Sequence, residues 1–267
     1  VGKALTIEEQ WRTWLTRHGS PMRLERGMLR RLPSDPRCKI CNAPFGGPGG
    51  LAFRLLGRRP WEKNPNFCTT CSRYATKYRG GAEVELSLLF ADARGSTTLA
   101  ERTGASEFTA LMNRFYAAAT RVLLDTDAVI DKLVGDEVIG LYLPFLGERH
   151  ARLAVDAARR LLWATGHGAA GGPWLPVGVG VHTGRAFVGI VGTEEITDFT
   201  ALGDAVNLTA RLASAAGAGE ALITEEASAA AGLTEDLERR DLTVRGREER
   251  VRVWVLRVGE PAPVAPS

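Results

Sequence analysis

The stretch AVIDKLVGDEVIGLYLP, residues 128–144, is apolar and β-branched on both sides of a Gly135–Asp136 pair, so it reads as two short strands joined by a tight turn. Its neighbours restrict the fold more than any other feature of the chain. Upstream, SEFTALMNRFYAAATRVL places Phe108, Leu111, Met112, Phe115, Ala119 and Val122 on one helical face. Before that, EVELSLLFAD alternates and then runs apolar, as a central strand does. Downstream, ERHARLAVDAARRLLWATGHG is a helix with Gly166 as its C-cap. PVGVGVHTGRAFVGIVG follows, with two strands expected to turn near Thr183–Gly184. Strand, helix, hairpin, helix, strand is the α+β, ferredoxin-like βαββαβ order. A helix in GDAVNLTARLASAAGAG, a strand at EALIT and a hairpin in DLTVRGREERVRVWVLRV are additions to it.

The first part of the chain is of another kind. Residues 1–80 hold 16 Lys/Arg against 5 Asp/Glu, a balance of +11, whereas residues 81–267 hold 18 against 26, a balance of −8. Two differently constituted parts are joined. All the cysteines, Cys38, Cys41, Cys68 and Cys71, lie in the basic part as C-x2-C, 26 residues, C-x2-C. Each pair can grip a metal from a tight knuckle, and a segment of about 40 residues has too small a core to stand without a staple. Four thiolates suit one tetrahedral Zn²⁺; an iron–sulfur cluster or mononuclear iron is the alternative, and disulfides come last.

Ahead of the cysteines, TIEEQWRTWLTRHG opens with a Thr6–Glu9 capping box and stops at Gly19, and an Arg-rich connector follows. Trp11 and Trp14 of this arm are expected to pack on the cysteine module or across a dimer. SRYATKYRGG reads as a linker. The expected division is therefore a helical arm and basic connector (1–37), a zinc-ribbon-like module (38–71), a linker (72–82), a larger α+β domain (83–258) and a loose tail (259–267).

Apolar content of 45% and charged content of 24% are those of an ordinary soluble chain. No apolar run approaches the roughly 18 residues of a membrane span, and VGKALTIEEQWRTWL has no leader pattern, so a cytoplasmic location is expected. The basic charge is compatible with nucleic acid, but no aromatic–basic interleaving of an RNA-binding motif accompanies it. Packing against the acidic remainder is preferred.

Chemistry-bearing residues gather in the second part. Asp92 ends the first strand in FADARGSTTLAE, where sites of α/β sheets collect, and the loop Ala93–Arg94–Gly95–Ser96–Thr97 offers amides that suit phosphate oxygens. The hairpin neighbours that strand in a βαββαβ sheet, so Asp92 and Asp136 can meet. Two close carboxylates repel unless a cation separates them, and oxygen ligands of this kind suit Mg²⁺. A helix cap and a turn residue are the plain alternatives. In DFTALGDAVNLTARL, Asn207 and Arg211 are one helical turn apart, able to orient a ribose and to fork onto a phosphate, with a Thr200 hydroxyl shortly before. His182 at a strand end reads as structural, and His150 as an exposed helix residue.

Together LLFADARGSTTLAE, DKLVGDEVIGLY, GVGVHTGRAFVG and DFTALGDAVNLTARL resemble, in order and spacing, the catalytic domain of class III nucleotidyl cyclases, over about residues 83–225. The resemblance implies that Asp92 and Asp136 bind two Mg²⁺ (or Mn²⁺). It implies that Lys132 and Thr200 read the purine, that Asn207 orients the ribose and that Arg211 stabilises the transition state. A Lys/Thr pair matches an adenine edge, where a guanylate cyclase of the family would show Glu and Cys, so ATP is the implied substrate. The implied assembly is a head-to-tail homodimer with sites shared between subunits. Ala93 and Ser96 depart from the Ile and Phe more usual in the phosphate loop. VGDEV echoes the signature of diguanylate cyclases but lacks its first glycine and its aromatic residue. The rival from another class is a non-catalytic cyclase-like nucleotide sensor or dimerisation domain carrying a nucleic-acid-binding zinc module.

Overall fold

The computed structural model describes residues 5–16, 21–32, 36–62, 64–193, 197–244, 247 and 249–259. The expected helix stop at Gly19 and the tail EPAPVAPS from residue 260 lie outside them. The chain divides into two compact units: residues 1–86, 143–148 and 185–203, and residues 87–142, 149–184 and 204–267.

In the first unit, α1 (Ile7–Thr16) starts at the expected capping box, with Thr6 N–H donating to Glu9 Oε2 at 2.7 Å and Glu9 N–H donating to Thr6 Oγ1 at 3.2 Å. The Arg-rich connector is a second helix, α2 (Pro21–Arg30). Its Arg26 is 1% exposed and donates to the carbonyl of Ile40, while Arg37 donates to that of Leu29 at 2.8 Å. Part of the basic charge therefore holds the backbone of this unit together. Helix α3 (Gly47–Leu55), strands β1 (Pro60–Trp61) and β2 (Asn64–Cys68) and helix α4 (Thr69–Lys77) complete the cysteine region. The expected linker is thus helical as far as Lys77, because the second knuckle continues directly into α4.

Strand β3 (Gly80–Ala93) begins in the first unit and ends in the second. Helices α5 (Ser96–Arg102) and α6 (Ala105–Asp125), strands β4 (Val129–Val134) and β5 (Glu137–Tyr142) and helix α7 (His150–Ala164) follow. Strand β6 (Val177–Gly192) corrects the expectation of two strands: it runs without a break through Thr183–Gly184, and Gly184 does not have a positive φ. Strand β7 (Thr197–Leu202) pairs back antiparallel on the C-terminal half of β6, with Thr200 opposite Gly189. Gly189 is required here, since a Cβ would stand 2.3 Å from the carbonyl oxygen of Gly80. The chain finishes with α8 (Asp204–Ala215), β8 (Glu220–Thr224), α9 (Glu225–Ala231), β9 (Glu238–Leu242) and β10 (Val251–Arg257).

The sheet of the second unit has the order β4-β5-β3-β6-β8-β10-β9. Its first four strands are the ferredoxin-like core anticipated from the hairpin. One face carries Leu89, Ala91, Val138, Val179 and Ile223 against Met112, Phe115, Ala119 and Leu123 of α6 and Ala154, Ala158 and Leu161 of α7. The other face packs Leu222, Val253 and Val255 on Leu208 and Leu212 of α8. Period-2 alternation on the strands sends successive residues to opposite layers, which fixes the register. Among the described residues no helix is long and apolar enough to cross a membrane.

Candidate active site and metal centre

Antiparallel pairing of β3 with β5 sets Asp92 opposite Glu137, and the Ala93 N–H donates to the Asp136 carbonyl at 3.0 Å. Gly135, with φ 63°, makes the two-residue turn that closes β4 onto β5. Tyr116 of α6 donates its hydroxyl to the Gly135 carbonyl, which ties the turn to the helix layer. Asp92 and Asp136 therefore meet at one end of the β3–β5 ladder.

Their surroundings are crowded with like charge. Burial pushes the Asp92 carboxyl above its usual range; nearby Arg94 opposes the shift and Asp136 adds to it. Glu137 is raised as well, by burial first and then by Asp92 and Asp136. Glu137 belongs to this cluster although nothing in the spacing marks it, because its place depends on the β3–β5 register. Two chain partners hold the aspartates. Arg94 lies 3.1 Å from Asp92 Oδ1, and Ser96 donates its hydroxyl to Asp136 Oδ2. The guanidinium of Arg94 also donates to the carbonyls of Ala213 and Ser214 at the end of α8, the latter at 2.8 Å, where a cation complements the helix dipole. Hard carboxylate oxygens around a space that disfavours unpaired negative charge fit a divalent cation.

Asn207 and Arg211 stand one turn apart on α8, exposed and half-buried respectively. Among the described residues neither has a side-chain partner, and the same holds for Lys132, exposed on β4. Thr200, on β7 of the first unit, is buried. Lys132 lies on β4 of the second unit. Of the loop residues, Ala93 and Ser96 are buried, Arg94 is half-buried, and Gly95 and Thr97 are exposed. His182 is buried against Thr224, with Nδ1 2.9 Å from Oγ1, and burial lowers its pKa, as suits a structural histidine. His150 differs from expectation: it is half-buried and joins Ser87 Oγ at 2.9 Å.

The four Sγ atoms of Cys38, Cys41, Cys68 and Cys71 lie within 4.8 Å of one another, and all four cysteines are free. Cys41 and Cys68 are 3.7 Å apart, against about 3.8 Å for two sulfurs on a tetrahedral Zn²⁺ with bonds of about 2.3 Å. Backbone N–H groups point at the sulfurs, Cys68 N to Cys38 Sγ at 3.3 Å and Cys71 N to Cys68 Sγ at 3.4 Å. Hydrogen bonds from neighbouring thiols pull Cys68 well below the ordinary thiol range, while Cys41 and Cys71 are pushed above it. The cluster can hold a metal.

The sheet order, the paired aspartates and the Asn/Arg helix define a nucleotidyl-cyclase type of domain. The family model described as the adenylate and guanylate cyclase catalytic domain matches residues 81–257, and the chain belongs to that family. The terminal-differentiation specific adenylate cyclase of Dictyostelium discoideum is 33% identical over 129 residues, which is 47% of this chain and 6% of that protein. The chain thus spans a small fraction of this curated relative. The guanylyl cyclase Cya2 is 27% identical with a TM-score of 0.62, the match covering 69% of this chain and 98% of that one. The adenylyl cyclase CyaB from P. aeruginosa is 29% identical with a TM-score of 0.57, covering 65% and 93%. Cyclases that act as adenylyl and as guanylyl enzymes are therefore both similar to this chain.

Proposed function

We propose that this protein is an adenylate cyclase that converts ATP to 3′,5′-cyclic AMP and pyrophosphate at sites shared across a head-to-tail homodimer. The observation that carries the reading is the meeting of Asp92 and Asp136 in a half-buried, like-charged setting, on a chain of this family. These two carboxylates would hold two Mg²⁺ or Mn²⁺ ions. When bound, such ions neutralise phosphate charge and activate the attacking 3′-hydroxyl. Ser96 donates to Asp136, and Arg94 opposes the rise that burial imposes on Asp92.

The substrate's remaining contacts fall to residues outside the aspartate pair. Lys132 donates to a purine ring nitrogen and Thr200 accepts from the 6-amino group, the pattern of adenine rather than guanine. Asn207 orients the ribose. Arg211 meets the charge that builds on the transferring phosphate, and in the Ala93–Thr97 loop the amides of Gly95, Ser96 and Thr97 hold its oxygens, since those of Ala93 and Arg94 are bonded to the carbonyls of Asp136 and Pro176. Asn207 and Arg211 have no side-chain partner among the described residues, which suits residues that act on a nucleotide held against a second subunit. At the cysteines we assign one structural Zn²⁺, with an iron–sulfur cluster as the alternative, in a module that regulates or steadies the dimer.

Incubation with ATP or GTP and either cation, followed by mass spectrometry, tests the reading. Cyclic AMP as the main product supports it. Cyclic GMP as the main product would transfer the assignment to guanylate cyclase. Absence of any cyclic product from a confirmed dimer would favour the non-catalytic alternative.

A further inference from the structure

Lys39 lies inside the first cysteine knuckle, between Cys38 and Cys41, yet its side chain leaves the module. Its side chain is 7% exposed, and Nζ stands 3.1 Å from Oδ1 of Asp198 on β7. The same Oδ1 accepts the N–H of Phe199 at 2.9 Å, so one carboxylate oxygen joins the knuckle to the backbone of that strand. Two residues beyond Asp198, on the same face of β7, is Thr200. The opposite face is held too: Phe199 stacks on Trp11, with ring centres 6.3 Å apart at 25°, and the Trp11 indole N–H donates to the Tyr78 carbonyl at 2.7 Å.

β7 has a ladder to β6 alone among the described strands, so its backbone is fixed along one edge only. Contacts on its two faces must supply the rest. Lys39 is itself fixed by the knuckle, its N–H donating to the Asn66 carbonyl at 2.8 Å and the Cys38 N–H to that of Ala43 at 2.9 Å. The pair is part-buried, with the Asp198 side chain 34% exposed, so loss of either partner loosens the tie to β7.

We infer that Lys39 is a positioning residue for purine recognition: held by the cysteine site, it fixes β7 through Asp198 and so sets where Thr200 stands. The inference rests on the reading of Thr200 as a purine contact and extends it, because the state of the cysteine site then governs nucleotide affinity. A displacement of about 1 Å at a recognition group can weaken its function up to about 100-fold, so the loss expected here is between roughly 10-fold and 100-fold.

The test is calorimetric titration of the full chain, in Mg²⁺, with non-hydrolysable analogues of ATP and of GTP. Wild type, Lys39→Met, Lys39→Arg and Asp198→Asn are compared, with the metal content of each recorded. Lys39→Met and Asp198→Asn are expected to weaken the ATP analogue by that factor and to narrow the preference over GTP. Lys39→Arg is expected to restore most of both. In turnover the loss falls on KM rather than kcat. Asp198→Asn keeps the acceptor for Phe199 N–H and its shape, so it decides the matter if Lys39→Met does not fold. Wild-type affinity and preference in Asp198→Asn would overturn the inference. Tighter binding would overturn it as well and mean that the module covers Thr200. Wild type that binds neither analogue would overturn the cyclase reading and this one with it, whereas binding by wild type with unchanged variants removes Lys39 alone.

Discussion

Arg94 bridges Asp92 and the end of α8: one guanidinium lies 3.1 Å from the aspartate and donates to the carbonyls of Ala213 and Ser214. A residue of the loop after β3 thus ties Asp92 to the helix that carries Asn207 and Arg211. Arg94→Ala is expected to leave two helix-end carbonyls without their donor and to cost about 2 kcal/mol of stability. Urea unfolding of the metal-free protein reads this directly. A Gly178→Ala change should act on the same contact, since a Cβ there would stand 2.8 Å from Arg94 Nε and 2.9 Å from the Ala216 oxygen.

The raised carboxyls give a pH dependence of defined sign. Asp92 and Glu137 have folded pKa values above their ordinary ones, so in the window between the two values the native state binds more protons than the unfolded state. Stability of the metal-free protein contributed by these groups is present at low pH and is lost as pH rises through the folded pKa. Asp92→Asn and Glu137→Gln should each flatten that slope and raise the metal-free Tm at neutral pH. Mn²⁺ binding should release protons within the same window, as calorimetry in two buffers would show.

Ser96 occupies a position where the family more often has Phe, and its hydroxyl is bonded to Asp136. A hydrogen bond to a charged carboxylate contributes about 1.5 to 3 kcal/mol. Ser96→Ala is therefore expected to weaken Mn²⁺ binding, measured by electron paramagnetic resonance, by about 10-fold, since 1.4 kcal/mol is one decade. The fold should persist, because Ser96 opens a short helix without being its cap.

Trp11 is 1% exposed and holds both Phe199 and the Tyr78 carbonyl. Trp11→Ala should destabilise the chain by about 3 to 5 kcal/mol, the usual cost of deleting a buried large aromatic side chain. Cys41→Ser should release the cysteine-bound metal. Mass spectrometric metal analysis gives the ion, and a colourless protein with one zinc per chain would exclude the iron–sulfur alternative.

Much of this architecture is legible in the sequence because it follows from local rules. The Gly135–Asp136 turn, the apolar face of α6 and the Thr6–Glu9 box each depend on neighbours within a few residues. Asp92 and Asp136 could be brought together because a βαββαβ order makes β3 and β5 adjacent. What was not legible depends on distant partners. Strand β6 passes through Thr183–Gly184 because Thr183 meets Ser87 of β3, Oγ1 to Oγ at 2.6 Å, and no residue near Gly184 signals that pairing. The two tryptophans stack on Phe199 and Phe145, contacts that no nearby residue signals, with Trp14 and Phe145 at 4.9 Å. Glu137, Tyr116 and the Lys39–Asp198 pair were missed for the same reason. Their roles exist only once register and docking are set.

The most direct test of the central claim is to mix two singly inactive variants. Asp136→Ala removes a metal ligand and Arg211→Ala the transition-state cation, and each alone should lower cyclic AMP production at least about 100-fold. In a head-to-tail dimer, one of the two sites in each mixed pair is intact. After subunit exchange, an equal mixture should therefore recover about a quarter of wild-type activity. A mixture as inactive as its parts, with exchange confirmed, would contradict shared sites. Full activity in either variant alone would contradict the assignment of that residue.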